Sequence, residues 1–593
     1  MKKREEINEE FKWKMEDVYQ NESDWENDKN RVTGLFEELK RKKGTITKDY
    51  ESFKSTISLM NELEIITERV YFYANQKFHE DLGNGKYQKM SDEASELLNN
   101  FCAASSFVEP EFLDAREEVV NNYLDNEDMK EYKHYFHDLF RQKEHILSSE
   151  KEEILAMTQN FSNGSYDIFS VFNNVDLKFG KVKDADGKEI LLTHGNYSTF
   201  MESEDRKVRC QAFKALYKPY KDFKNTVAAV YINKLKKDSF YSKVRKYTSS
   251  RQMYLDGNNI PEKVYDNLVK VVDENLDKLH KYISLRKKVF GYDEVHMYDV
   301  YAPMVKDVNK HIEYEEAKEI VLKGLEPLGD EYLELLREGF DNRWIDVYEN
   351  EGKRSGAYSW STYGIHPYVL LNYQPDLNSV FTLAHEMGHA LHSYYSNSNQ
   401  TYTNAQYKIF VAEVASICNE SLLIHYLINN AEDKQEKAFL INHFLEQFRT
   451  TLFRQTMFAE FEMLVHSMAD RGEALNSDVL CEIYGDLNRK YFGEDIIIDD
   501  EIKMEWARIP HFYTSFYVYQ YATGFSAAIA LSKKIMEEGE PAVEKYKKFL
   551  KSGCSDYPIE ILKAAGVDLS EETPLANAMD MFGGLLDEFE KLI

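Results

Sequence analysis

His385-Glu386-Met387-Gly388-His389 places two imidazoles four residues apart, with a carboxylate beside the first. On an α-helix, residues i and i+4 share a face. Two neutral imidazole nitrogens at that spacing reach one Zn2+ at roughly 2.0–2.1 Å. Glu386 is turned about 100° from His385, so it can hold a water beside the ion and take its proton. Val380, Phe381, Leu383 and Ala384 precede the motif, and Ala390 and Leu391 follow it. Charged groups in so apolar a run are costly unless a metal or polar partners compensate them. The spacing predicts a buried helix that holds a hydrolytic metal.

Hydrolytic zinc takes three protein ligands and keeps one position for water. A third histidine in the pattern H-E-x-x-H-x-x-G-x-x-H is ruled out, because its Gly position is His392 and its last position is Tyr395. The other common solution is a Glu from a second helix. Residues 410–420 are apolar and helical in character, and Glu413 is an isolated carboxylate 24 residues past His389 (413 − 389 = 24). Glu420, two turns later on roughly the same face, could accept a hydrogen bond from a ligand imidazole or make a buried contact between helices. His392 is expected to support the site and not to ligate.

A third constellation occupies residues 509–524. His511 precedes Tyr513, Tyr517 and Tyr521, which fall at i, i+4 and i+8. Read as a helix, this gives a phenol-lined face, where leucine or valine would fill an ordinary core without adding hydroxyls that need partners. Amide hydrolysis passes through an oxyanion that phenol or imidazole donors can stabilise. Aromatic core packing is the competing reading, and Tyr519 is expected to pack.

These side chains need long helices to hold them. The chain has 26 glycines and 11 prolines in 593 residues, below the roughly 7% and 5% of average usage. Helices are expected through most of the first 170 residues, and again from Pro261 to Gly291 along Val264, Leu268, Val272, Leu276, Leu279 and Ile283. Val175, Leu177 and Phe179 alternate before Asp186-Gly187 and Ile190-Leu191-Leu192, which predicts a β-hairpin near 171–197. That hairpin is taken as the boundary between an N-terminal helical domain, 1–195, and a catalytic domain, 196–593. Strand formers at 356–364 and 368–373 predict a small sheet just before the metal helix. Its edge could take an extended peptide as another strand, or the strands could only pack beneath the helix.

With 103 acidic and 74 basic residues, the net charge is −29, which disfavours nucleic acid or an anionic bilayer as partner. No apolar run follows Met1-Lys2-Lys3-Arg4, and none of 18 residues is evident, so neither a signal peptide nor a membrane span is expected. Cys102, Cys210, Cys418, Cys481 and Cys554 are scattered, as free thiols in a reducing cytosol would be.

Taken together, the motifs resemble the oligoendopeptidase F group of the thimet-oligopeptidase-like zinc peptidases. The resemblance rests on His385-Glu386-x-Gly388-His389-x-x-His392, on Glu413 in a Glu-x-x-Ser setting, and on the His/Tyr-rich segment from His511. Arg354–Ser359, Arg454–Glu462, Gly553–Asp556 with Ala565-Gly566-Val567, and Trp13–Tyr19 support it along most of the chain. It implies a mainly α, gluzincin-type fold: a two-lobed helical ellipsoid with a deep substrate channel, and one Zn2+ at its floor. It also implies an endopeptidase acting on short oligopeptides in the cytoplasm. His385, His389 and Glu413 would bind zinc and Glu386 would be the general base. His511 and Tyr517 would contact the transition state, with Tyr521 nearby. His511 to Tyr517 is one residue longer than in thimet-like relatives, which leaves open which tyrosine does which task. The alternatives are a zinc carboxypeptidase or dipeptidyl carboxypeptidase, which needs a cation for the free C-terminus, and a non-catalytic peptide-binding protein. Oligomeric state is not read from the sequence.

Overall fold

The computed structural model describes residues 2–306 and 310–593. Among the described residues helices dominate, joined by seven short strands: β1 (Lys181–Lys183), β2 (Glu189–Leu191), β3 (Val295–His296), β4 (Ile345–Asp346), β5 (Tyr358–Trp360), β6 (Tyr368–Leu370) and β7 (Ile496–Ile497). The fold is mainly α, as the scarcity of glycine and proline predicts.

Packing groups the chain differently from a cut at residue 195. One compact unit gathers Met1–Lys143, Asn309–Tyr426 and Leu531–Val567, and the other gathers Glu144–Val308, Leu427–Ala530 and Asp568–Ile593. Each unit is therefore built from three separated stretches. The hairpin expected at the boundary lies inside the second.

In the first unit, the N-terminal helices and the small sheet share a core. Trp13, Phe53, Phe72 and Phe136 are buried in one cluster with Tyr368 and Leu370 of β6. Trp13 Nε1 donates to the Val369 carbonyl at 2.7 Å, and Phe72 meets Trp360 edge-to-face at 5.1 Å. The sheet order is β4-β6-β5. β4 runs parallel to β6 with Ile345 opposite Val369, and β5 runs antiparallel to β6 with Ser359 opposite Val369. Both expected strands form, and β5 is an edge.

Two other expectations need correction, both in the second unit. The hairpin pairs β1 with β2, Val182 opposite Ile190, so its first strand starts later than the 175–179 alternation suggests. Residues Phe172–Asp176 instead continue the preceding helix as a wide turn. The hairpin turn is fixed by Asp184, whose carboxylate accepts from Asp186 N and Lys188 N at 3.0 and 2.8 Å. The single helix expected from Pro261 to Gly291 is two, Glu262–Asp273 and Leu276–Phe290. Asn275 separates them, its side-chain amide donating to the Val271 carbonyl at 2.8 Å, a local bond that competes with helix continuation. Gly291 closes the second at φ +62°, a left-handed cap that favours glycine.

Candidate active site

The H-E-x-x-H segment lies in the helix Leu377–Asn399, capped by Asp376 accepting from Ser379 N. It packs against the helix Ile409–Asn429, which carries Glu413. By length and hydropathy that second helix could cross a membrane, contrary to the expectation that no segment would. It is a core helix, with Val411, Val414, Ala415, Cys418 and Leu422 buried. Gly388 lets the two backbones meet: a Cβ there would stand 2.6 Å from Ser416 Cα. Asn419 pins the pair, donating to the Ala384 carbonyl and accepting from the Tyr332 hydroxyl, both at 3.0 Å.

This contact brings His385, His389 and Glu413 together. The Nε2 atoms of His385 and His389 stand 3.4 and 3.5 Å from the same oxygen, Oε2 of Glu413. One ligand atom from each of the three lies within 4.8 Å of the others. Ser416 Oγ also donates to that oxygen at 3.2 Å. Behind the trio, His385 Nδ1 donates to Glu420 Oε1, so Nε2 is the nitrogen that faces Glu413 and that offers a lone pair once its proton gives way to a metal.

The electrostatics favour a cation. Burial lowers the basicity of His385, but Glu420, then Glu386 and Glu413, hold it up to about 9. Burial works the other way on Glu413, and His389, His385 and Ser416 hold it down to about 2. With neutral imidazoles, three carboxylates would crowd one buried site, a charge that a divalent cation offsets. The donor set of two imidazoles and a carboxylate therefore fits a metal. Glu386 is 7% exposed and its Oε2 has no hydrogen-bond partner. Burial pushes its carboxyl up, against the pull of His385 and His389. A carboxylate so placed is a poised proton acceptor.

His392 is not part of this cluster. It stacks on Tyr407 with centroids 3.7 Å apart, and burial pushes its ring down to about 3, so it stays neutral. Nothing in the spacing points to Tyr407. Asn419 could have been noticed as a lone amide in an apolar helix.

The 509–524 constellation belongs to the other compact unit and is not one continuous helix. Pro510–Tyr513 is a single tight turn and the following helix starts only at Tyr519. Between them Phe516 adopts φ +54°, which L-residues rarely occupy. The i, i+4, i+8 face expected of Tyr513, Tyr517 and Tyr521 therefore does not exist. Tyr513 turns away and stacks on Phe169 at 4.4 Å, while Tyr519 packs against Tyr265. The bend nonetheless gathers His511, Tyr517 and Tyr521. Their ring centroids lie 6.0 Å (His511–Tyr517), 5.9 Å (His511–Tyr521) and 5.4 Å (Tyr517–Tyr521) apart. Tyr521 Oη is 3.4 Å from His511 Nε2. Burial, then Arg454, lowers the His511 pKa, which leaves a neutral ring with one N–H to donate.

A buried network holds this bend. Glu462 Oε1 accepts from Phe516 N at 3.1 Å. Ser515 Oγ donates to Asp238 Oδ2 at 2.7 Å. His466 Nε2 stands 3.0 Å from Ser515 Oγ, and Lys234 pairs with Asp238 at 2.7 Å. Sequence reasoning missed all of these. The local hints are two pairs one helical turn apart: Glu462 and His466 on Arg454–Asp470, and Lys234 and Asp238 on Lys224–Val244.

Comparison with known proteins shows the family and the fold. Residues 199–581 match the model of Peptidase family M3, and residues 111–179 match that of Oligopeptidase F. Oligopeptidase PepF of Bacillus subtilis is 47% identical over 591 residues, covering 100% of this chain and 88% of that protein. An oligoendopeptidase F homolog of Lactococcus lactis is 40% identical, covering 100% and 99%. Among solved structures, a peptidase from Chlamydophila abortus superposes with TM-score 0.93 at 34% identity, covering 100% of both chains. Oligoendopeptidase-F from Enterococcus faecium superposes with TM-score 0.76 at 37% identity, covering 96% and 99%.

Proposed function

The chain belongs to peptidase family M3, and on that premise we propose that it is a zinc-dependent endopeptidase of short oligopeptides with Glu386 as its general base. One observation carries the reading: both imidazole nitrogens lie 3.4–3.5 Å from Glu413 Oε2. Ligands held at about 2.0–2.1 Å in a tetrahedron stand about 3.3–3.4 Å apart, so both His-to-Glu413 separations suit ligands of one zinc ion, and the three donor atoms lie within 4.8 Å of one another. When bound, zinc supplies a Lewis acid and lowers the pKa of water from about 15.7 to about 7.

The side chains do the rest. Glu386 takes the proton of the attacking water and passes it to the leaving amine. His511 and Tyr517 donate to the carbonyl oxygen as it gains charge, and Tyr521 orients His511 through the contact to its Nε2. The substrate backbone pairs with the free edge of β5. A groove of about 300 Å³ follows that edge, lined by Ser359, Trp360, Ser361, Tyr363, Ser393 and Asn397 among others. The scattered, unpaired cysteines suit a cytoplasmic enzyme.

Glu386→Gln tests the mechanism. It should keep its metal yet cleave a quenched nonapeptide on the order of 10²–10⁴-fold more slowly; near wild-type cleavage would refute the assignment. Cutting the same internal bond in a C-terminally amidated peptide separates an endopeptidase from a carboxypeptidase, which needs the free carboxylate.

A further inference from the structure

The second compact unit contains a cavity of about 210 Å³ that the proposed mechanism does not use. Its lining is of two kinds. Met201, Phe213, Met297, Val300, Met457 and Phe492 are apolar, while Arg449, Arg454 and Arg508 bring guanidiniums. These cations outnumber their partners. Glu446 is shared by Arg449 at 2.6 Å and Arg286 at 2.7 Å. Glu505 is shared by Arg454 at 2.5 Å and Arg508 at 3.5 Å. Four guanidiniums thus divide two carboxylates. The lining also holds Glu202, whose carboxyl is pushed up by burial and by Glu446, toward its neutral form.

Arg454 and Arg508 lie deep in the unit, yet keep 20% and 21% of their side-chain surface accessible. Both line the cavity. Buried positive charge without a matching anion is costly. A planar guanidinium pair matches the two oxygens of a carboxylate, and an apolar lining suits a short hydrocarbon body.

We propose that this cavity binds a small organic acid, its carboxylate held by Arg454 and Arg508 and its aliphatic body against Val300, Met457 and Phe492. The same chemistry can arrive as the C-terminal residue of a peptide or as a free short-chain acid. Calorimetric titration of the metal-loaded, full-length protein with N-acetyl-leucine, 4-methylpentanoate and N-acetyl-leucinamide separates these. One or both acids bind, the tighter identifying the source, and the amide binds at least about tenfold more weakly. Arg508→Gln removes a charge, and Val300→Phe fills the space while leaving every ion pair intact, which keeps the test decisive should the first variant fold poorly. Each should weaken acid binding on the order of tenfold or more. No heat with either acid, equal binding of the amide, or affinity unchanged in both variants, as for an acid bound at the catalytic metal, overturns the proposal.

Discussion

The two halves of the proposed machinery are built by opposite means. The proposed ligand trio sits on two regular helices pressed together at Gly388, where the i, i+4 repeat alone sets two of its three residues. The His511–Tyr521 segment abandons helical geometry, passes through a left-handed Phe516, and is held by buried polar groups drawn from distant parts of the chain. The first is local geometry plus one close contact. The second is tertiary structure imposed on a backbone that would not adopt it alone. Rigid helices suit a metal, whose ligand distances tolerate little error. A bend suits donors that must converge on one oxygen from non-adjacent positions.

That contrast can be broken by substitution. Glu413→Ala should have the largest effect: metal content of the purified protein falls toward zero and peptide cleavage falls to background, while His511, Tyr517 and Tyr521 remain intact. Tyr517→Phe should keep full metal content but lower kcat on the order of 10²–10³-fold with little change in KM. Glu420→Ala frees the far nitrogen of His385 and should weaken metal affinity about 10–100-fold in a chelator competition.

Stability measurements sharpen it further. Gly388→Ala forces a methyl group to within 2.6 Å of Ser416 Cα, and such overpacking costs about 1–3 kcal/mol, visible as a lower Tm and weaker metal binding together. In the other region the sign depends on pH. Burial pushes the Glu462 carboxyl up from its ordinary 4.5 to about 8. The native state then holds a proton that the unfolded chain releases. The stability this group contributes is complete below 4.5 and is lost as pH rises to about 8. Glu462→Gln mimics the protonated form, so thermal melts across that window should be flatter than for the wild type.

The same contrast explains what could be read from the sequence. The metal helix, Glu413 and the strands at 358–360 and 368–370 follow from periodicity and residue type. Tyr513, Tyr517 and Tyr521 also show helical spacing, and there the spacing misleads. Buried partners such as Glu462 and Asp238, 54 and 277 residues from the groups they bind, decide that backbone, and no local window contains them. The grouping into two units was illegible for a related reason: each is assembled from three stretches, and chain order carries no mark of where they meet.

Anomalous diffraction at the zinc absorption edge, from a crystal of the purified protein, tests the central claim most directly. The account predicts one peak, coordinated by Nε2 of His385, Nε2 of His389 and a carboxylate oxygen of Glu413, with Glu386 beside it but outside the ligand set. An ion held by other residues, or by Glu386 in place of Glu413, would contradict it.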